Sequence, residues 1–429
     1  MIKHILGNGV RVVAEPVPSS RSVSIGIWVK AGSRYESPHR NGISHLIEHM
    51  LFKGTEKYSA KDIANIFDGI GGNVNAFTSR EYTCYYAKVL DEHLELASEA
   101  LSEMLLRSVL DEEELRKEKD VIGEEIAMYE DTPDDYVHDL VVEAAYGDHP
   151  LAYSILGTPD SLAPITPADL REYMGETYHA GRIVISAAGH IDSGFGERME
   201  TYFGTVPASG SGLEPVGEMP AFLGETRFRE KDTEQHHLCL ALPGLPFNDE
   251  HLHAMILLNN IIGGGMSSRL FQEIRENRGL AYSIFSYHSA HADSGLFTIY
   301  AGTHPNQTEE VCKLTLDILG ELAVKGITEE ELSRGKEQLK GSIILGLEST
   351  SSRMNRLGKN ELMLGRHESL DDLIRRIEQI DMKEIRIVLD RMFSRPFAAA
   401  LVGSGDEALQ QIRRDQYVIR SADSAASGQ

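Results

Sequence analysis

Val23, Ile25, Ile27 and Val29 alternate with Ser24, Gly26, Trp28 and Lys30. A two-residue repeat of this kind predicts a β-strand with one buried face. The run EYTCYYAKVL (81–90), rich in aromatic and β-branched residues, predicts another strand. EHLELASEALSEMLL (92–106) repeats with helical period instead. At the N-terminus, MIKHILGNGVRVV places a hairpin turn at Gly7-Asn8-Gly9 ahead of a strand. Strands and long helices mix without the regular alternation a parallel sheet requires. The expected fold class is therefore α+β: two homologous sandwich domains, each a mostly antiparallel sheet packed with helices.

Two matches at nearly one spacing suggest the duplication. The Glu-Glu-Glu-Leu runs begin at Glu112 and Glu329, an offset of 329 − 112 = 217. The apolar strands RIVISAAGH and PFAAALVGS carry Gly189 and Gly403, an offset of 403 − 189 = 214. PASGSGLEPVGEMP, near mid-chain, reads as a linker. The expected division is a catalytic domain at 1–206, a linker at 207–220, a homologous domain at 221–418 and a flexible tail at 419–429.

The stretch NGISHLIEHMLFKGT (41–55) carries two patterns at once. Ile43, Leu46, Ile47, Met50 and Leu51 form a complete helical core stripe. His45, Glu48, His49 and Phe52 fall on another face, at i, i+3, i+4 and i+7, and Gly54 supplies a stop. Residues four apart stack on one helix face, so two imidazoles can converge on one ion at about 2.0–2.1 Å each. Zinc would also need a third protein ligand and an open position for water, whose pKa it lowers to about 7. Glu48, beside the ligands, could take that proton and return it to a leaving amine.

The acidic stretch DEEELRKEKDVIGEEIAMYED (111–131) offers third ligands. Glu118 and Glu125 share a face two turns apart, with Val121 and Ile122 between them. Glu124 competes with Glu125 but points about 100° away around the helix. No HxxEH occurs in the second half, where Glu118 and Glu125 map to Gly335 and Ser342 at the offset of 217.

Charge narrows the partners. Formal net charge is 42 − 66 = −24, which argues against nucleic acid. No window of about 18 apolar residues predicts a membrane span. Three widely spaced cysteines and no CxxC pair fit a reducing compartment, and a cytoplasmic protein is expected.

GISHLIEHMLFKGT, NVNAFTSREYTCYYAKVL, KEKDVIGEEI and GGGMSSRLFQEIRENRGLAYSI resemble stretches of the insulinase/pitrilysin family of zinc peptidases. These are inverted zincins, with the motif H-x-x-E-H. The resemblance spans nearly the whole chain and points to the branch that includes the mitochondrial processing peptidase and its bacterial relatives. It implies one zinc ion per chain, with His45, His49 and Glu125 as ligands and Glu48 as general base. Glu118 would orient His45 or His49. Asn75, Ala76, Phe77 and Thr78 would lie on an edge strand to which a substrate peptide adds, and Phe52 would line the pocket beside the scissile bond. Arg275 and Tyr282 would grip the substrate backbone and help the oxyanion. In longer relatives that pair comes from the opposite half of a clamshell. A chain of about half their length implies a homodimer, with the pair donated in trans. The implied activity is endopeptidase cleavage of short or unfolded peptides inside a closed chamber. A catalytically silent peptide-binding or scaffold subunit is the alternative. Such subunits lose a ligand or the base, whereas His45, Glu48, His49 and Glu125 are all present here.

Overall fold

The computed structural model describes residues 1–210 and 219–413. Most of the expected linker and all of the expected tail lie outside the described residues. The chain forms two compact units: Met1–Ala127, Tyr153–Gly217 and Ile344–His367 make one, and Met128–Ala152, Glu218–Ile343 and Glu368–Gln429 the other.

The first unit holds a six-stranded sheet of β1 (Ile2–Ile5), β2 (Arg11–Pro16), β3 (Ser22–Val29), β4 (Asn73–Thr78), β5 (Thr83–Leu90) and β6 (Ile183–Gly189). Their order is β1-β2-β6-β3-β5-β4. The second holds β7 (Thr226–Glu230), β8 (His236–Pro243), β9 (Ala281–Ala290), β10 (Gly295–Thr303) and β11 (Ala398–Gly403), in the order β7-β11-β8-β10-β9. Dropping β1 makes the two orders superimpose strand for strand. Even the single parallel pair matches: β2 with β6, and β7 with β11; all other pairs are antiparallel. The glycines at the matched strand ends share a reason too. A Cβ on Gly189 would lie 2.2 Å from Ser22 O, and one on Gly403 2.3 Å from the His236 ring.

One face of the first sheet carries the main core. Ile25, Ile27, Tyr85 and Ile185 pack there against Leu46, Ile47 and Met50 of the helix Ile43–Leu51. The opposite face is also covered, which the alternation in β3 did not predict. Helix Thr350–Leu364, from the far end of the chain, lies across β2, β3 and β6. Two of the alternate positions in β3, Ser24 and Gly26, are small so that it can approach. Ser24 Oγ meets Thr350 Oγ1 at 3.0 Å, and a Cβ on Gly26 would stand 2.5 Å from Met354 Sδ. Trp28 is buried there with its indole N–H donating to Ser186 Oγ at 2.8 Å.

The second unit repeats the arrangement with helix Pro133–Tyr146, which lies across β7, β8 and β11. The two covering helices begin at 133 and 350, an offset of 350 − 133 = 217. Each unit is thus completed by a helix from the other half of the sequence. Among the described residues no helix is long and apolar enough to cross a membrane.

Candidate metal centre

The helix Ile43–Leu51 starts where it does for two reasons. Gly42 holds φ 91°, a conformation that costs other residues, and a Cβ there would meet Leu156 O at 2.7 Å. The buried Glu36 carboxylate then accepts from the N–H groups of Gly42 (2.7 Å) and Ser44 (2.9 Å) and from Asn41 Nδ2 (3.0 Å). A carboxylate there satisfies orphan donors and complements the helix dipole. Ile43, Leu46, Ile47, Met50 and Leu51 are fully buried, so the histidine face has a fixed direction.

The second helix, Glu112–Asp131, is capped by Asp111, which accepts from the N–H groups of Glu113 and Glu114 at 2.9 and 3.0 Å. It is pinned by Lys119 Nζ, which donates to the carbonyls of Ala163 and Ile165. Leu115, Ile122 and Ile126 face the core, with Glu118 buried among them. Val121, about a third of a turn from Ile122, is exposed.

These two helices bring three ligand atoms together. Glu125 Oε2 lies 3.9 Å from His45 Nε2 and 3.7 Å from His49 Nε2. One such atom from each residue lies within 4.8 Å of the other two, and no other group of this kind occurs among the described residues. Both distances are too long for hydrogen bonds. They are close to the edge of a coordination tetrahedron, about 3.4 Å for legs of about 2.0–2.1 Å.

Protonation fits a cation as well. Glu118 Oε2 sits 3.0 Å from His49 Nδ1. A carboxylate only accepts, so that nitrogen carries a proton, and Nε2 is the ring atom that faces Glu125. Burial, followed by the charge of His49, pushes the His45 imidazolium down to about 4, so His45 is neutral at pH 7. Two imidazole Nε2 atoms and a carboxylate oxygen face one another. That donor set suits zinc. Glu118 also accepts from Lys53 Nζ at 2.6 Å, which leaves neither oxygen idle. His45 differs: its Nδ1 is buried without a hydrogen-bond partner, so packing rather than a carboxylate aims that ring.

Glu48 stands on the same helix. Burial raises its pKa, offset in part by a hydrogen bond from Thr78 Oγ1 and the charge of His49. β4 is an edge strand, paired only with β5. Its four candidate residues divide between its faces. Ala76 is buried in the core on the metal-helix side, and Thr78 reaches Glu48. Phe77 packs on the other face against Trp28, Tyr82 and Tyr86, so only its main chain serves the open edge. Asn75 is exposed, and its Oδ1 accepts from Ala76 N at 2.9 Å. Phe52 ends the metal helix and packs half-buried against the core.

Arg275 and Tyr282 belong to the second unit. The Arg275 guanidinium lies 4.8 Å from the Phe271 ring centroid and 5.5 Å from that of Tyr282. Both residues line a cleft of about 740 Å³ with Gln235, Thr303 and His304. Gly335, the counterpart of Glu118, faces Leu257 and Ile261, which are four apart like His45 and His49. Apolar packing stands there in place of metal ligands. Four histidines of the second unit have ordinary partners: His236 with Thr308 and Ser404, His237 with Tyr300, His251 with Glu384, and His253 with Glu368.

Three participants escaped the sequence reading: Lys53, Thr83 and the segment Ala31–Glu36. Lys53 and Thr83 are single polar residues with no distinctive spacing. AGSRYE has neither helical nor strand period, so nothing marked it.

Comparison with known proteins places these features. Residues 11–159 match the profile of insulinase (peptidase family M16), and residues 164–339 that of the peptidase M16 inactive domain. An uncharacterized zinc protease of Bacillus subtilis is 51% identical over 397 residues, covering 92% of this chain and 96% of that protein. One from Streptomyces coelicolor is 43% identical over 407 residues, covering 93% and 88%. A solved protease from Helicobacter pylori superimposes with a TM-score of 0.87 at 24% identity, covering 93% of this chain and 98% of that one. At that identity the likeness speaks for the fold.

Proposed function

The chain belongs to the insulinase family of peptidases and is a zinc metallopeptidase, and from that premise we propose an endopeptidase of short or unfolded peptides. In this reading His45, His49 and Glu125 hold one zinc ion, and Glu48 is the general base. The observation that carries it is the meeting of two Nε2 atoms and a carboxylate oxygen beside a second, largely buried carboxylate.

Zinc bound there supplies a Lewis acid that brings the pKa of water to about 7 and polarises a carbonyl. Glu48 takes a proton from the attacking water and gives it to the amine nitrogen as the C–N bond breaks. A carboxylate with a raised pKa suits that double duty. Glu118 keeps His49 in the ligating tautomer. The substrate lies along the open edge of β4 and pairs by main-chain hydrogen bonds, which only an extended peptide can do. Arg275, flanked by aromatic rings and facing a cleft, grips the substrate backbone and favours the developing oxyanion, with Tyr282 beside it.

The working enzyme is a homodimer whose closed chamber receives Arg275 and Tyr282 from the partner chain. The difference between the two units supports this: the first carries the ligand group, and the second has apolar neighbours at the counterpart of Glu118. A cytoplasmic location is consistent with three buried, unpaired cysteines.

The deciding experiment is Glu48→Gln. The reading expects about one zinc per chain and loss of peptide cleavage. Unchanged cleavage removes Glu48 from the mechanism. Wild-type protein holding under about 0.2 zinc per chain after mild purification favours a silent scaffold instead.

A further inference from the structure

Thr78 closes β4 and stands opposite Thr83, the first residue of β5. Its hydroxyl donates to Glu48 Oε2 and lies 3.3 Å from Thr83 Oγ1. Thr83 is fully buried and its own proton is engaged, donating to Ala31 O at 3.0 Å. Thr83 therefore offers Thr78 only lone pairs. The single Thr78 proton goes to the stronger acceptor, the carboxylate.

The hairpin that carries both threonines is fastened to the segment Ala31–Glu36. Arg34 and Glu81 form a buried ion pair at 2.7 Å, and Arg34 N donates to Arg80 O at 2.8 Å. Gly32 passes so close that a Cβ there would lie 2.2 Å from Ser79 O. Glu36, at the end of this segment, holds the first turn of the metal helix. One stretch of six residues thus fixes both the hydroxyl and the helix bearing the carboxylate that receives it.

We propose that Thr78 is a positioning residue for the general base, its hydroxyl holding Oε2 of Glu48 so that Oε1 is the oxygen that exchanges protons. The proton of the attacking water passes to Oε1, then from Oε1 to the nitrogen of the departing amine. The Thr78 proton stays on its own oxygen throughout. This assignment rests on the reading of Glu48 as base. It differs from a substrate contact at Thr78, which would act on KM.

The test compares Thr78→Val, which removes the hydroxyl and keeps the branching, with Thr78→Ser, which keeps the hydroxyl. Cleavage of a fluorogenic peptide gives kcat and KM, and metal analysis gives zinc per chain. Thr78→Val should lower kcat about ten- to a hundredfold, the effect of losing one charge-assisted hydrogen bond. Its KM and zinc content should stay within about twofold of wild type. Thr78→Ser should recover most of kcat. Thr78→Ala carries the same expectation if the valine variant does not fold. A kcat within twofold of wild type, a rise in KM alone, or a serine variant as impaired as the valine one overturns the proposal. Glu48→Gln assayed alongside separates the layers. If it cleaves normally, the base assignment itself fails; if it is inactive while Thr78→Val is unaffected, only the role of Thr78 fails.

Discussion

Removing the Glu118 carboxylate should weaken zinc binding while leaving the fold intact. Glu118 is buried, accepts from His49 Nδ1 at 3.0 Å through one oxygen and from Lys53 Nζ at 2.6 Å through the other. A hydrogen bond to a charged group contributes about 1.5–3 kcal/mol. Loss of such a partner behind a metal-ligating histidine weakens metal binding about 10- to 100-fold, which is about 1.4–2.7 kcal/mol. The two estimates agree, so the full effect can be assigned to this one contact. Glu118→Ala should fall at the high end, because the imidazole is then free to move its proton to Nε2 and turn a donor toward the metal. Glu118→Gln retains a carbonyl acceptor and should fall near tenfold. Lys53 is partly exposed and can hydrate, so the cost to folding should come from the His49 contact and stay at or below about 3 kcal/mol. Competition against a chromogenic zinc chelator measures the affinity, and urea unfolding of the zinc-free protein controls for stability. If Glu118→Ala held zinc within about twofold of wild type, His49 would not depend on this carboxylate and the reasoning would be wrong.

Other expectations follow from separate parts of the molecule. Mixing Glu48→Gln chains with Arg275→Ala chains should restore about a quarter of wild-type activity by random assortment if Arg275 acts in trans, as peptide hydrolysis after subunit exchange would register; no recovery would place it in cis. Gly358→Ala would bring a Cβ to 2.0 Å from Trp28 Nε1, displacing an indole that donates to Ser186 at 2.8 Å. Overpacking plus a lost buried hydrogen bond should cost about 2–5 kcal/mol in urea unfolding, and a loss under about 0.5 kcal/mol would contradict that packing. Burial pushes the Glu361 carboxyl up, but hydrogen bonds from His367 and Lys3 outweigh it and hold the group below its ordinary value. Its contribution to stability is therefore present above about pH 4.3 and fades as pH falls through the lower folded value. Glu361→Gln should be less stable than wild type at pH 7, with the gap closing in acid; a gap independent of pH would refute the linkage.

Much of the candidate metal centre could be read from residue order alone, because its helix carries two complete stripes. Ile43, Leu46, Ile47, Met50 and Leu51 fix the buried side, so the direction of His45, Glu48 and His49 follows from helix geometry. The spacing of Glu118 and Glu125 likewise put both on one face. Their division of labour depended on a distance between two helices that no periodicity encodes, and the structure pairs Glu118 with His49. Strand β3 shows a different limit. Ser24 and Gly26 look like solvent positions, yet they are small because a helix more than 300 residues later lies on them. The face occupied by Phe77 was hidden similarly, since edge strands tolerate aromatic side chains on either side. The segment Ala31–Glu36 works through backbone approach and buried polar pairs, which leave no pattern in composition.

The reciprocal helices also impose an order on biosynthesis. When residue 206 leaves the ribosome, the first sheet still lacks the cover for Trp28, Cys84 and Val184, which comes with Thr350–Leu364. At about 5–20 residues per second, that cover arrives roughly ten to thirty seconds later. Throughout that interval the apolar face that carries these residues is without its cover. A gene cut at the middle would yield two fragments, each missing its lid.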